Sequence, residues 1–511
     1  MAEQRTLGPT AVLTFAFKGV ALVAMVGAPL LGVWVASSLA AFANKATWLP
    51  VASGALLFPV GPLVWDLVAE RRRAKGRRRI LTFSDRLVLR TLALAAVFLG
   101  ALFLIAPERA FVALSARGDW FLDGVSSARA ERVRGALRAT TGAFEWLYRA
   151  AHENPYRDMG PAPDTRPKPT TVPTPSATTS APPTTSDAGA VTTIEPGGHP
   201  ADARVEPGRI VYPMPATLHP VVAAMPRDAE TSIEAVARYI GEREPDPVRR
   251  IKALHDWVAD RIAYDAPALK LPRIPAEDGE PEAVFRSRKG VCAGYAALMV
   301  ALARFTHDEI VYVVGDARTS LDPVHGEPHA WNAAKVDGQW VLIDATWDAG
   351  SVNTAFEKRY STAFLFTPPE IFRVSHFPDQ AEWQLTTPPL ARAEFFRRPA
   401  LQPEFFAHGL TLREPDQSQV TVERSLDLSL ENPRGTYVIV SHEPAGSDDE
   451  SKRTRCEGDA HGARVRCTFQ SAGTYDVHMF VSDKEYGKRY SHAGSVQVNA
   501  RRSARREPRL T

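Results

Sequence analysis

The chain has 511 residues, too many for one ordinary domain, and roughly two to four folded units is the expected organisation. A net charge of +3, from 61 basic and 58 acidic residues, offers no global attraction for nucleic acid, and no nucleic-acid partner is expected. Three cysteines in so long a chain exclude a disulfide-stapled scaffold.

The amino-terminal part is the most apolar. Three stretches approach or exceed the roughly 20 residues that cross a bilayer as helix. One lies within Thr10 to Ala43, one runs from about Thr47 to Val68, and one from about Leu87 to Ala106. None has the short apolar core and small-residue cleavage site of a secretory signal, so residues 1–106 are expected to form three transmembrane helices. The loop Arg71-Arg72-Arg73-Ala74-Lys75-Gly76-Arg77-Arg78-Arg79 belongs on the cytoplasmic side. A multi-pass protein of the cell membrane follows, with everything after Ala106 on the outer, periplasmic or extracellular side. Two spans instead of three would return the later domains to the cytoplasm.

Beyond the anchor, Phe111, Leu114, Phe121, Val125, Val133, Leu137, Phe144 and Leu147 recur at helical spacing, and residues 107–158 read as an amphipathic helical neck. Nothing in it suggests chemistry. Residues 159–205 form a Pro/Thr/Ser-rich linker that cannot bury enough apolar surface to offset its conformational entropy. It is expected to act as a semi-extended spacer.

Folded patterning resumes near Arg209, and residues 206–400 read as an α+β domain. Asp246-Pro247-Val248 looks like a helix start, and Ile251, Leu254, His255 and Val258 then share one face. Lys289-Gly290-Val291-Cys292-Ala293-Gly294-Tyr295 reads as a loop feeding a helix, with Cys292 at its first turn. Unpaired amides and the helix dipole there stabilise a thiolate, and Arg286, Arg288 and Lys289 add positive potential. The competing reading is a small buried core cysteine.

The segment His329 to Val336 and the segment Gln339 to Thr346 flank Asp337-Gly338, a strong two-residue hairpin signal. Pairing Val336 with Gln339 sets Trp331 opposite Asp344 and His329 opposite Thr346, so His329 and Asp344 become diagonal neighbours on one face. A carboxylate within reach of an imidazole is the base-and-orienter geometry that a cysteine nucleophile requires. His325 and His329 are four apart, but Gly326 and Pro328 argue against the helix that a metal pair would need, and no metal is expected.

Together, the Gly-Val-Cys-x-Gly-Tyr start at Gly290, the His-x-Trp-Asn strand at His329 and the Ile-Asp-x-Thr-Trp strand at Ile343 resemble the transglutaminase-like superfamily. Two flanking stretches draw the likeness toward the branch of kyphoscoliosis peptidase and cytokinesis proteins. They are Leu254-His255-Asp256-Trp257-Val258 through Tyr264-Asp265, and Phe364-Leu365 through Pro369-Glu370 to His376-Phe377-Pro378. The likeness covers roughly Ile233 to Leu385. It implies a papain-like fold in which Cys292 attacks an amide carbonyl, His329 moves the proton and Asp344 orients the imidazole. A thioester acyl-enzyme would then be resolved by water or by an amine. The backbone amide of Cys292 is the natural first oxyanion donor, and His376 is read as structural. No cofactor signature is present.

Residues 401–500 change to short alternating strands, among them Leu426/Leu428/Leu430 and Tyr475/Val477/Met479, and read as an immunoglobulin-like β-sandwich with a tyrosine corner at Tyr475. Cys456 and Cys467 flank the turn-prone Gly458–Gly462. A disulfide between them goes with an exported domain, two free thiols with a cytoplasmic one. Residues 501–511 are a basic tail expected to be disordered. The expected molecule is thus multidomain: an α-helical transmembrane anchor, a papain-like transglutaminase-like domain and a sandwich. It is read as a cysteine protease, amidase or cross-linking acyltransferase acting on protein or peptide substrates. The alternative is a non-catalytic adaptor that meets protein partners in envelope assembly or cell division.

Overall fold

The computed structural model describes residues 27–44, 48–72, 81–125, 127–160, 192–193, 210–271, 273–321, 324–352, 355–447, 450–485 and 490–501. The chain divides into two compact units, residues 1–153 with 392–397, and residues 154–391 with 398–511.

The first unit is helical. Helices α1 (Gly27–Phe42), α2 (Trp48–Arg71) and α3 (Phe83–Ile105) are apolar, and among the described residues α2 and α3 have the length and composition to cross a membrane. The first expected span lies partly outside the described residues, as do most of the Arg71–Arg79 loop, nearly all of the 159–205 tract and the tail. Helix α3 is opened by a capping box in which Thr82 accepts from the Asp85 amide and Asp85 accepts from the Thr82 amide. The continuous amphipathic face expected over Phe111 to Tyr148 is instead divided among α4 (Pro107–Arg117), α5 (Ala128–Gly142) and α6 (Glu145–Ala151). Gly118 closes α4, and Gly124 takes a positive φ of 75° before Ser127 caps α5, so the chain turns where a single helix would have run on. The short helix Arg392–Arg397 completes this unit. Phe396 meets Phe111 at 5.9 Å and Tyr148 at 5.4 Å between ring centroids, and Arg397 pairs with Asp119 at 2.8 Å.

In the second unit, Ser232 caps α7 (Ile233–Arg243) by accepting from the Ala235 amide, and the helix buries Ile233, Val236, Ala237 and Ile240 at the spacing of one face. Asp246 caps α8 (Pro247–Arg261) with Pro247 in the first turn. Helix α9 (Cys292–Thr306) is buried on almost every side, in keeping with its alanines and its lack of charge before Arg304. It packs on a five-stranded antiparallel sheet of β1 (Glu309–Ala317), β2 (Glu327–Val336), β3 (Gln339–Ile343), β4 (Leu365–Thr367) and β5 (His376–Pro378), in the order β4-β3-β2-β1-β5. Asp337 and Gly338 both take positive φ, 50° and 80°, in the tight turn joining β2 to β3, and Val336 pairs with Gln339.

The expected ladder stops earlier than the alternation suggested. Strand β3 ends at Ile343, and Asp344 caps a short helix α10 (Ala345–Ala349), its Oδ1 accepting from the amides of Thr346 and Trp347. Thr346 is therefore helical and does not face His329 across strands. An aspartate that caps through its own side chain competes with strand continuation, and here the cap wins.

The carboxyl-terminal sandwich packs a sheet of β8 (Ser425–Glu431) between β6 (Thr411–Glu414) and β10 (Arg464–Thr468) against a second sheet. In that sheet β11 (Gly473–Ser482) pairs with β9 (Tyr437–Pro444) and β12 (Ser491–Ala500), and β7 (Gln419–Val422) joins β12 in parallel. Leu426, Leu428, Val465, Val440, Val477 and Met479 fill the space between them. Cys456 and Cys467 form a disulfide, and the Tyr475 hydroxyl donates to the Ser471 carbonyl at 3.0 Å, the bond of a tyrosine corner.

Candidate functional site

The helix start and the hairpin converge. Val291 is extended and Cys292 opens α9, so the cysteine sits at the positive end of a fifteen-residue helix. The tight approach around it is set by glycine: a Cβ on Gly294 would stand 2.3 Å from the Asp278 carbonyl oxygen. Cys292 is the free cysteine, and it is 1% exposed.

His329, third residue of β2, faces it. Its Nε2 lies 2.8 Å from Asp344 Oδ2, and Cys292 lies near enough to bear on its charge. The diagonal placement expected from the hairpin thus brings the two together, but Asp344 reaches His329 from a helix cap and not from a strand. Burial works against a charged His329; the Asp344 carboxylate and Cys292 outweigh it and push its pKa up to about 10. Burial likewise opposes the Asp344 charge, and His329, then His376, hold that carboxyl well below the usual carboxylate range. An imidazolium beside a thiol is the arrangement that favours a thiolate.

His376, read from sequence as structural, is a further partner of this carboxylate. Its Nε2 lies 3.2 Å from Asp344 Oδ2 and its Nδ1 2.9 Å from Ser375 Oγ, so one ring nitrogen donates to Asp344 while the other takes the serine hydroxyl. Burial pushes its pKa down to about 4, so this ring is neutral where His329 is charged. His329, Asp344 and His376 each turn a ligand atom into one small space, all within 4.8 Å of one another, a spacing open to a metal ion. Their atoms already satisfy one another by hydrogen bonds, and the arrangement needs no ion to account for it.

The site opens toward a cleft of about 680 Å³ whose lining includes His329, Trp347, Tyr264, Tyr156, Glu404 and His492, the last two from the start and the β12 edge of the sandwich region. Tyr264 packs against the cluster that holds Cys292, whose backbone amide is the expected oxyanion donor. Tyr156, from the segment read as chemically silent, packs in one buried cluster with Cys292. Nothing in its local sequence marks it, because its role is set by a partner 136 positions away.

A second buried histidine network lies in the same domain. His255 Nδ1 is 3.0 Å from Asp256 Oδ1 and its Nε2 3.1 Å from Asp348 Oδ2. Lys252 and the Tyr360 hydroxyl both bond Asp256, at 2.6 and 2.7 Å, while the Phe364 amide bonds Asp348. Burial opposes the His255 charge, and the two carboxylates outweigh it and raise its pKa.

Residues 234–345 match the transglutaminase-like superfamily, and residues 392–510 match the KY-like, immunoglobulin-like domain. The central domain belongs to the transglutaminase-like superfamily. Kyphoscoliosis peptidase of Mus musculus is 29% identical to this chain over 215 residues, 40% of this chain and 32% of that protein. The Homo sapiens kyphoscoliosis peptidase is 29% identical over 208 residues, 39% of this chain and 31% of that protein. The chain therefore spans about a third of the length of these relatives. A solved TGase is similar to 26% of this chain and 34% of its own, at 20% identity and a TM-score of 0.20. With both matches, the transglutaminase-like domain is followed by a KY-like immunoglobulin-like domain, and the chain is a multidomain α+β protein.

Proposed function

We propose that this chain is a membrane-anchored transglutaminase-like cysteine enzyme that cleaves or transfers protein or peptide amides through Cys292, His329 and Asp344. The observation that carries the reading is the 2.8 Å bond from His329 to Asp344 beside a cysteine at a helix start. In this reading His329 holds the thiol proton and Cys292 attacks the amide carbonyl as thiolate. The imidazolium then gives its proton to the departing amine, leaving a thioester on Cys292. Water resolves it in a protease or amidase; a substrate amine resolves it in a cross-linker. Asp344 stays ionised throughout and fixes the ring. The name of the mammalian relatives, kyphoscoliosis peptidase, is in keeping with the hydrolytic outcome.

The proposed organisation has an anchor in residues 1–106, a neck in 107–158, a spacer in 159–205, the catalytic domain in 206–400 and the sandwich in 401–500. Helices α2 and α3 support membrane attachment by length and composition. The Cys456–Cys467 disulfide supports an outer-side location for the carboxyl-terminal domains.

One observation favours the non-catalytic adaptor reading, namely that Cys292 is 1% exposed. The deciding experiment is labelling of the full-length chain with a thiol-reactive probe across pH, native against His329→Ala. The enzyme reading expects labelling to persist at pH 6 and to fall back in the variant to an ordinary thiol titrating near about 8.5. Labelling that ignores His329 sinks it and leaves the adaptor.

A further inference from the structure

The cleft reaches His329 and Tyr156 but Cys292 is not among its walls, and the stretch of chain that carries Tyr156 packs in one cluster with the cysteine. That stretch, Asn154 to Gly160, comes directly before the Pro/Thr/Ser tract and has no strand pairing of its own. It is fastened by side chains. Asn154 Nδ2 donates to the Gly315 carbonyl at 2.8 Å and lies 3.5 Å from the His329 carbonyl, so it ties into β1 and β2 beside the site. Asn154 Oδ1 accepts from the Tyr156 amide at 3.0 Å, which bends the chain inward. The Tyr312 hydroxyl donates to the Tyr156 carbonyl at 2.7 Å. Gly160 then passes so close over the Tyr312 ring that a Cβ there would come within 2.6 Å of it. Arg157 pairs with Asp379 at 2.9 Å, and this outer latch is 60% exposed at the arginine.

Between these fastenings the Tyr156 ring enters the protein. It is 3% exposed and packs in one cluster with Ala268, Val291, Ala293, Ala296 and Ala330 around Cys292. A nucleophile needs an open line to a carbonyl carbon, with reacting atoms about 3–3.5 Å apart. With Tyr156 seated, that line is closed.

We propose that Asn154–Gly160 is an occluding strap that occupies the substrate's approach to Cys292 and must lift before an amide can reach the sulfur. The proposal rests on the reading of Cys292 as the nucleophile and names the regulation of that site. A segment held by a few side-chain bonds and one exposed ion pair is the kind that opens locally without global unfolding.

The test reads the rate of iodoacetamide alkylation of Cys292 in the full-length chain, by mass spectrometry; the other two cysteines are disulfide-bonded, so the signal is specific. Arg157→Glu sets like charges against Asp379 without touching the sulfur, and its exposed side chain makes misfolding no concern. It is expected to speed alkylation several-fold, Asn154→Ala to do the same, and Tyr156→Ala to speed it by about tenfold or more. A native rate in Arg157→Glu overturns the strap, even if Tyr156→Ala reacts faster, because a fixed wall would respond only to its own truncation. The two readings fail separately. Loss of dependence on His329 defeats the nucleophile and leaves the latch effect in place; loss of the latch effect defeats the strap and leaves the His329 dependence intact.

Discussion

The transglutaminase-like domain holds two histidines, each buried against carboxylate and each with a raised pKa, and they differ in one respect that decides what each can do. His255 has both ring nitrogens engaged by carboxylates, Asp256 on one side and Asp348 on the other. It is a fixed cation inside a closed set that also holds Lys252 and Tyr360. His329 gives only Nε2 to a carboxylate, that of Asp344, and has Cys292 as its other close partner. A general base must have an atom to spare, so the first network can only hold the fold while the second can move a proton. The two share a scaffold, since Asp344 caps α10 and Asp348 lies four residues on in the same helix. The clamp on Asp348 thereby helps fix the carboxylate that orients His329.

The largest expected effect separates the two directly. His255→Leu leaves Asp256 and Asp348 buried without their shared cation, and breaking a buried pair costs about 3–5 kcal/mol. Urea denaturation should show a loss of that size, with the folded fraction still alkylated at Cys292 in a His329-dependent way. A stable variant with lost thiol reactivity would reverse the assignment and make His255 part of the chemistry.

The next effect belongs to His329. Without it, a thiol with an ordinary pKa of about 8.5 is ionised at pH 6 only to about one part in 300. Alkylation of His329→Ala at pH 6 is therefore expected to fall about 10²-fold, whereas the folded fraction of His255→Leu keeps its reactivity. An unchanged alkylation rate in His329→Ala would mean that both histidines are scaffold.

How far this contrast was legible in the sequence follows from distance along the chain. The Cys292 helix start and the Asp337-Gly338 turn are local signals, and the turn alone registers His329 toward Asp344. What the alternation misjudged was the end of β3, because a capping aspartate and a strand aspartate look alike until the following amides choose. His255 was visible on a buried helical face and inside the Leu254–Val258 stretch that carries the resemblance, but not as half of a buried pair. Its second carboxylate, Asp348, is 93 positions away and no periodicity links them. Tyr156 is hidden for the same reason, and the role of His376 is not local either, because its Asp344 bond runs between β5 and the α10 cap. The sandwich was legible in outline, since alternation over β8, β10 and β11 needs only a two-residue period.

A smaller effect sharpens the comparison through pH. The pKa of His329 is raised from 6.5 to about 10 on folding, so its contribution to stability is fully present below about 6.5 and is lost as pH rises through about 10. The stability difference between the native chain and His329→Ala should therefore shrink steadily from pH 6.5 to 10, measured by denaturant unfolding at each pH. A difference that stays flat would mean that His329 is neutral in the folded protein, and the thiolate–imidazolium description would fall with it.

The smallest effect concerns His376, which stands between the two kinds of histidine. It shares Asp344 Oδ2 with His329, yet it is neutral, with Nδ1 tied to Ser375 and its ring stacked on Phe372 at 4.0 Å between centroids. Its N–H draws off part of the carboxylate's negative charge. His376→Leu removes that donor and keeps an apolar side chain against Phe372, so the full field of Asp344 falls on His329. The imidazolium should then persist to higher pH, moving the alkaline limb of the Cys292 labelling profile upward by less than about one unit. A shift in that direction makes His376 a positioning residue that moderates the pair. An unmoved profile with lowered stability returns it to packing alone and leaves Asp344 answerable to His329 only.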